Sequence, residues 1–407
     1  MRLRNYFLVA ATAFSLFACS KDENDTLNGK EGNMTLVTLS LGKTESRALN
    51  QSAAGLYNKV NSLRFEFFTA DGRNLGVAQP NVSDENLAAL NGTGHNVTIA
   101  IENVPLTARK MAVIANESDQ IQTGTLNDAL GSIVKLKSMY DAKHEIFSQE
   151  NSVLTGQADV PAGEVGKVSN VNIEIKPISS RLELGKFTAK KVEATTEGQT
   201  IVNIKNFSVA GIFINQFYTE GALDPTKNEK ERSKVANGSA KDNYNQSFYQ
   251  DIVLSELKDY SFMCDDFTSE PLTGVTSTDG KFIWQVVPAG GKYYGYPVLA
   301  GDDEPLADGL NDVANIVIKL SVSYDNDEEG AAPREKYLTI TGYKKLNADG
   351  TVGAPVAKFE RGNVYRIENL EFDINDLTDV PYEGEKSVSA NVRVAAWVLV
   401  PVTPDIQ

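Results

Sequence analysis

The stretch that most constrains this chain is Val388 to Val402, V-S-A-N-V-R-V-A-A-W-V-L-V-P-V, in which every even position is Val or Ala. The odd positions change character along the run. Ser389, Asn391 and Arg393 are polar, whereas Ala395, Trp397, Leu399 and Pro401 are not. Side chains of a strand alternate faces with a period of two, so the run presents one continuous apolar edge suited to a buried groove. Fully extended it spans about 50 Å, well beyond an ordinary sheet strand. A strand of this kind either completes the sheet of its own domain or pairs with another chain. Taken alone, the stretch fits both.

The rest of the chain repeats the pattern in shorter form. Met34 to Gly42, Val60 to Ala70, Asn96 to Glu102 and Arg109 to Asn116 read as strands, and Asp71-Gly72 closes the second with a hairpin signal. Val171 to Phe187 reads as a strand pair broken at Pro177, and Asn206 to Tyr218 continues as strand. Lys281 to Val287, Asn315 to Tyr324, Glu335 to Gly342 and Asn363 to Asp373 follow. A helix is predicted over Thr125 to Leu136, with Thr125 and Asp128 placed to cap it and Leu126, Ala129, Leu130, Ile133 and Val134 at helical spacing. Short apolar runs separated by turn residues indicate a mainly β chain of sandwich type, and 407 residues suffice for two domains, with the boundary expected at Pro177. Thr219 to Tyr249 is polar and reads as a surface insertion.

Charge and composition narrow the function. A net charge of −15 argues against nucleic acid as a direct partner, which needs basic patches. Two cysteines and two histidines leave little for a metal centre or a Cys–His pair, and His95 and His144 lie far apart with no partner motif. Asp325-Asn326-Asp327-Glu328-Glu329-Gly330 has the look of a calcium loop, but its twelfth position is Lys336, so a solvated turn is expected. Cys264 has no neighbouring base and reads as a buried structural cysteine. No nucleophile elbow, phosphate loop or paired-histidine motif occurs, so there is no case for an enzyme, a metal or a cofactor.

The front of the chain reads as an address. Arg2 and Arg4 precede an apolar run from Tyr6 to Ala13, and Leu16-Phe17-Ala18-Cys19 follows. The pattern is that of a secretory signal, too short to span a membrane. Its ending resembles a bacterial lipobox, which implies lipidation (palmitate) of Cys19. The polar, acidic Ser20 to Asn24 looks like the export sequence that sends Bacteroidetes lipoproteins to the outer face of the outer membrane. Residues 20–33 read as a tether. The polar stretch Lys43 to Ser52 offers Arg47-Ala48 to an Arg-specific protease.

Several of these stretches occur in the order seen in the fimbrillins, the pilus subunits of Bacteroidales such as Porphyromonas gingivalis. They are the lipobox at Cys19, the Arg47 loop, Leu63 to Phe68, Arg109 to Asn116, the helix beginning Thr125-Leu126, Ile175 to Leu184, Glu360 to Ile367 with its Arg-Gly-Asn-x-Tyr core, and Val394 to Val400 around Trp397. The chain resembles that family over nearly its whole length, with no match from Thr219 to Phe267.

The resemblance implies two transthyretin-like β-sandwiches in tandem, exported as a lipoprotein of the outer membrane and displayed in a surface fimbria that serves adhesion and biofilm. It implies a signal peptide at 1–18, a propeptide at 19–47, sandwiches at 48–176 and 177–384, and a terminal segment at 385–407. Cleavage after Arg47 would release a removable strand containing Leu36, Leu39 and Leu41. The groove so opened would take the donor strand of a neighbouring copy, through Val392, Val394, Ala396, Val398 and Val400 with Trp397 and Leu399 on the other face. In the uncleaved chain, Met34 to Leu41 is expected in the groove and the terminal strand loose or projecting. Partners implied are other copies of the chain, accessory fimbrial subunits and the protease, with a surface ligand unspecified. A tip or anchor subunit is the nearest alternative. A monomeric glycan-binding lipoprotein, presenting Tyr293, Tyr294 and Tyr296, is the other.

Overall fold

The computed structural model describes residues 32–41, 60–78, 82–91, 96–117, 121–122, 124–141, 146–147, 152–165, 167–194, 200–215, 217–224, 263–276, 282–288, 293–299, 313–347, 349–381 and 388–396. The first part of the chain forms β1 (Gly32–Leu41), β2 (Leu63–Phe68), β3 (Asn74–Ala78), α1 (Asp84–Asn91), β4 (Asn96–Pro105), β5 (Lys110–Ala115) and α2 (Leu126–Leu130). It continues through β6 (Ile133–Lys135), β7 (Tyr140–Asp141), β8 (Ile146–Phe147), β9 (Leu154–Asp159) and β10 (Val168–Pro177). Seven of these strands pair in the order β3-β2-β5-β9-β10-β1-β4.

That path folds back on itself as two layers. β9 and β10 meet only where Leu154 and Thr155 face Pro177 and Lys176. One layer is β10-β1-β4 and the other β3-β2-β5-β9. Their inner faces share a core, with Val37, Leu39, Ile101 and Ile173 from the first packed among Phe65, Phe67, Met111 and Val113 from the second. The alternating burial of β10 follows its alternating sequence, as a strand with one solvated face requires. The hairpin from β2 to β3 closes at Gly72, whose φ of +85° is the left-handed conformation that Asp-Gly turns favour.

At Pro177 the chain leaves the first sheet, and two residues later it enters the second. There follow β11 (Ser179–Lys190), β12 (Ile204–Asn215), β13 (Glu220–Ala222), β14 (Met263–Asp266), β15 (Leu272–Thr273), β16 (Val275–Thr276), β17 (Phe282–Val286) and β18 (Tyr294–Leu299). The last are β19 (Asn315–Tyr324), β20 (Arg334–Leu346), β21 (Val352–Pro355), β22 (Asn363–Phe372) and β23 (Val388–Ala396). Pairing runs β14-β12-β19-β20-β23-β22-β11-β17-β16, with β15, β18 and β21 attached to β12, β11 and β20. Here too the path makes two layers around one core, in which Leu184, Phe187, Tyr365 and Ile367 of β11 and β22 pack with Phe207, Ile212, Ile318 and Leu338 of β12, β19 and β20.

Most expected strands are present, and Asn315–Tyr324 begins and ends where the alternation placed it. Three expectations need correction. The helix at Thr125 is real but short. Thr125 and Asp128 form a capping box, yet the chain stops helical winding at Gly131. Ile133 and Val134 sit on a strand, exposed and buried in turn, because β6 pairs with β13. A second helix, α1, escaped the pattern because its apolar residues are few and only Leu90 is buried. Third, the terminal strand is neither loose nor projecting over Val388–Ala396. It is paired within its own chain, to β20 and β22.

Candidate functional site

β1 occupies an interior slot in the first sheet. It runs parallel to β10, with Met34 opposite Val168 and Leu41 opposite Ile175, and antiparallel to β4, with Thr35 opposite Ile101 and Ser40 opposite Asn96. Thr35, Val37 and Leu39 are the inward face, at 1%, 0% and 0% exposure. Burying Val37 and Leu39 contributes about 1.5–3 kcal/mol each. Of the leucines expected in the removable strand, Leu39 is buried, whereas Leu36, on the opposite face by period-two alternation, is half-buried. Anchored instead on Leu39, the same alternation points to Val37 and Thr35. The backbone of Leu41 ends the strand opposite Ile175.

The slot has an uneven pair of walls. β10 is joined to β9 as well as to β1, whereas β4 ends the sheet and, among the described residues, its ladder is to β1 alone. β1 is therefore a structural member of the sheet that ties β4 into it.

The end of the slot is fixed by the Arg-Gly-Asn-x-Tyr stretch. Arg361 donates through Nη2 to Thr155 O (2.6 Å) and Lys176 O (2.7 Å), through Nε to Pro177 O (3.2 Å) and through Nη1 to Leu223 O (3.4 Å). Burial pushes its pKa down to about 10, against the pull of Asp224 and Glu174, so it stays charged at neutral pH. Gly362 follows with φ +71°, and its N–H donates to Ser179 O at 2.9 Å. The Tyr365 hydroxyl accepts from Glu360 N at 2.8 Å. This turn binds the start of β22 to the ends of β9 and β10.

β23 bridges the two layers of the second sheet in halves. Val388–Val392 runs parallel to β20, from Ile340 to Lys345, and Arg393–Ala396 runs antiparallel to β22, from Arg366 to Asn363. Arg366 is already engaged. Its Nη2 lies 2.6 Å from Glu183 Oε2, its guanidinium stacks 3.9 Å over the Tyr293 ring, and Glu183 Oε1 also pairs with Arg181 Nε at 2.7 Å.

The other singled-out residues are structural. Tyr296 is buried and donates to Asp265 Oδ2 at 2.5 Å, and Tyr294 packs on Phe267. With Tyr293 under Arg366, the three tyrosines form no open aromatic patch. Burial raises the Tyr294 phenol to about 12 and the Asp265 carboxyl above its usual range. Cys264 is half-buried rather than buried. Asp327 accepts from Tyr324 N and pairs with Arg334, both at 2.6 Å, as a turn carboxylate does. Cys19, Arg47, Ala48, His95, His144, Trp397, Val398, Leu399 and Val400 lie outside the described residues, as does the expected surface insertion from residue 225 on, while its start pairs as β13 with Ala222 and Leu223 buried. Val392, Val394 and Ala396 are placed by the backbone of β23.

Among solved structures, the chain is similar to a candidate cell adhesion protein of Parabacteroides distasonis, at 14% identity, with 92% of this chain and 99% of that one covered and a TM-score of 0.53. The fold is shared with that Parabacteroides protein. A fimbrilin of Porphyromonas gingivalis is also similar, at 12% identity, 92% and 100% coverage and a TM-score of 0.47. No family model and no curated protein matches the chain.

Proposed function

We propose that the chain is a structural subunit of a surface fimbria, held as a precursor by β1 and polymerised when β1 is removed. One observation carries this reading. The first strand lies inside a sheet rather than at its edge, and Arg47, the residue after which an Arg-specific protease would cut, follows it by six residues of sequence. Cleavage there cuts β1 from the rest of the chain and leaves two unpaired strand edges around an apolar floor. Such edges pair readily with any extended chain, and a strand from outside satisfies them by β-augmentation. Backbone bonds at about 1 kcal/mol each and apolar burial at about 25 cal/mol per Å² supply the driving force without a fuel molecule.

A strand donated by one copy to the next makes a head-to-tail contact that does not close, so the product is a filament. The apolar alternation after Arg393 makes the terminal segment the donor. The names carried by the structural neighbours, among them fimbrilin, fimbrial assembly protein and adhesin, fit a cell-surface role. In this reading Cys19 carries the lipid that holds the precursor to the outer membrane, and accessory fimbrial subunits meet the ends of the filament. The engaged tyrosines offer nothing to the glycan-binding alternative.

The test is to digest the purified precursor with an Arg-specific protease and run it unboiled on a denaturing gel. A ladder is expected from the wild type. Arg47→Ala and a chain truncated after Ala396, which keeps β23, are expected to remain monomeric. A single monomer band from fully cleaved wild type would overturn the proposal.

A further inference from the structure

We propose that the free edge of β4 is a contact between two copies of the uncleaved chain, made by antiparallel pairing of Asn96–Glu102 with the same segment of the second copy about a two-fold axis at Ile99. The contact does not depend on strand exchange, so either reading can fail without the other.

This edge differs from the others. A bare strand edge is a template for pairing, and proteins blunt it with shortness, charge, proline or a bulge. The other strands that end the two main sheets carry such devices. β3 is five residues long and holds Gly76 at φ +119°. β14 is four residues and ends in Asp265 and Asp266, β15 and β16 are two residues each, β18 contains Pro297, and β21 ends at Pro355. β4 is ten residues long, with no charge from Asn96 to Ile101 and no proline before Pro105. Among the described residues, the backbone of Asn96–Glu102 bonds to nothing beyond β1. α1 lies beside the strand and seats Leu90 in the first core.

The occupant follows from the strand itself. β4 pairs regularly with β1 from Asn96 to Ile101, and Asn103, at φ +59°, takes the left-handed conformation that ends the straight run. That run is Asn96–Glu102, and its midpoint is Ile99. Antiparallel pairing about the midpoint sets Ile99 beside Ile99, Val97 beside Ile101, Thr98 beside Ala100 and Asn96 beside Glu102. Side chains alternate with a period of two, so both copies keep Ile99 and Ile101 on the core side and Asn96, Thr98, Ala100 and Glu102 on the exposed side. Each Glu102 meets an asparagine amide, which can donate to it, and no like charges face each other.

Charge favours a second copy at this place. A chain of net charge −15 repels its copies over most of its surface, so an uncharged, self-complementary edge is where two of them can meet. The product is a six-stranded layer, β10-β1-β4 continued by the same three strands of the second copy. It covers the long bare edge of the first sheet. The contact is small and weak, so it does not survive a denaturing gel.

Sedimentation of the uncleaved Arg47→Ala chain, with charge exchange at the paired positions, tests the contact. Thr98 and Ala100 are exposed, so substitution there spares the fold, which equal melting temperatures at low concentration check. The parent is expected to pass from monomer to dimer as its concentration rises. Thr98→Lys with Ala100→Lys sets like charges opposite each other, as does Thr98→Glu with Ala100→Glu, and each variant alone is expected to stay monomeric. A mixture of the two is expected to dimerise. A parent that is monomeric at every concentration, or a lysine variant that dimerises as the parent does, would overturn the proposal. A mixture that stays monomeric would mean that the edge takes another register or a strand of another protein, and the two-fold contact at Ile99 falls.

Discussion

Thr35 is the residue at which β1 fits its slot least well. Its hydroxyl is buried and unpartnered, a condition that costs about 1–3 kcal/mol. Thr35→Val is expected to stabilise the uncleaved chain by about 1 kcal/mol and raise its melting temperature by a few degrees, measured by calorimetry. Arg361 is the opposite case, a half-buried cation whose guanidinium donates to the carbonyls of Thr155, Lys176 and Pro177. Arg361→Ala is expected to cost about 3 kcal/mol, and Arg361→Lys to recover little, because an ammonium cannot match the planar fork. A denaturant titration measures both. Asp265 gives a pH dependence. Burial raises its carboxyl, outweighing the Tyr296 hydrogen bond, and a raised acid stabilises the fold at low pH and loses that stabilisation as pH climbs through the folded value. Asp265→Asn keeps an acceptor for the Tyr296 hydroxyl, so it should melt higher than wild type at neutral pH, with the gap narrowing toward about pH 4. A constant gap at all pH values would contradict the assignment. Of these three residues, none declared its role in the sequence. Thr35 differs from a surface threonine only by which face it occupies, and the partners of Arg361 and Asp265 are distant along the chain.

At the scale of elements, period-two alternation was a sound guide where one face is buried and the other more open, as in β1 and β10. It misled at Ile133–Lys135, where apolar spacing suited a helix but pairing with β13 prevailed over local preference. The capping box at Thr125 was legible because it is local. The seating of β23 was not, since an apolar strand carries no mark of whose groove it fills. β4 supplies a prediction at this scale. Its ladder is to β1 alone, so cleavage and release of β1 should speed hydrogen exchange at the amides of β4 that bond β1, and polymerisation should restore their protection. Exchange in β5, paired on both sides by β2 and β9, should change far less. Equal protection of β4 before and after release would mean that another element had taken over its edge.

For the whole molecule, the two sheets have a common plan. Each places a terminal strand next to one parallel and one antiparallel neighbour: β1 between β10 and β4, β23 between β20 and β22. The turn at Arg361 joins them, since it anchors on β9 and β10 and opens the strand β22 on which Arg393–Ala396 lies. In the proposed assembly, two like slots let one unit both give and receive a strand, as growth of a filament requires. The central claim is that the place vacated by β1 is the acceptor. A synthetic peptide of residues 32–41, added in excess to freshly cleaved subunits, measures this most directly. The account predicts that the peptide refills the slot and suppresses the ladder on an unboiled gel, while a scrambled peptide leaves it unchanged. A ladder that grows undiminished, with the peptide shown to be bound in the slot, would contradict it.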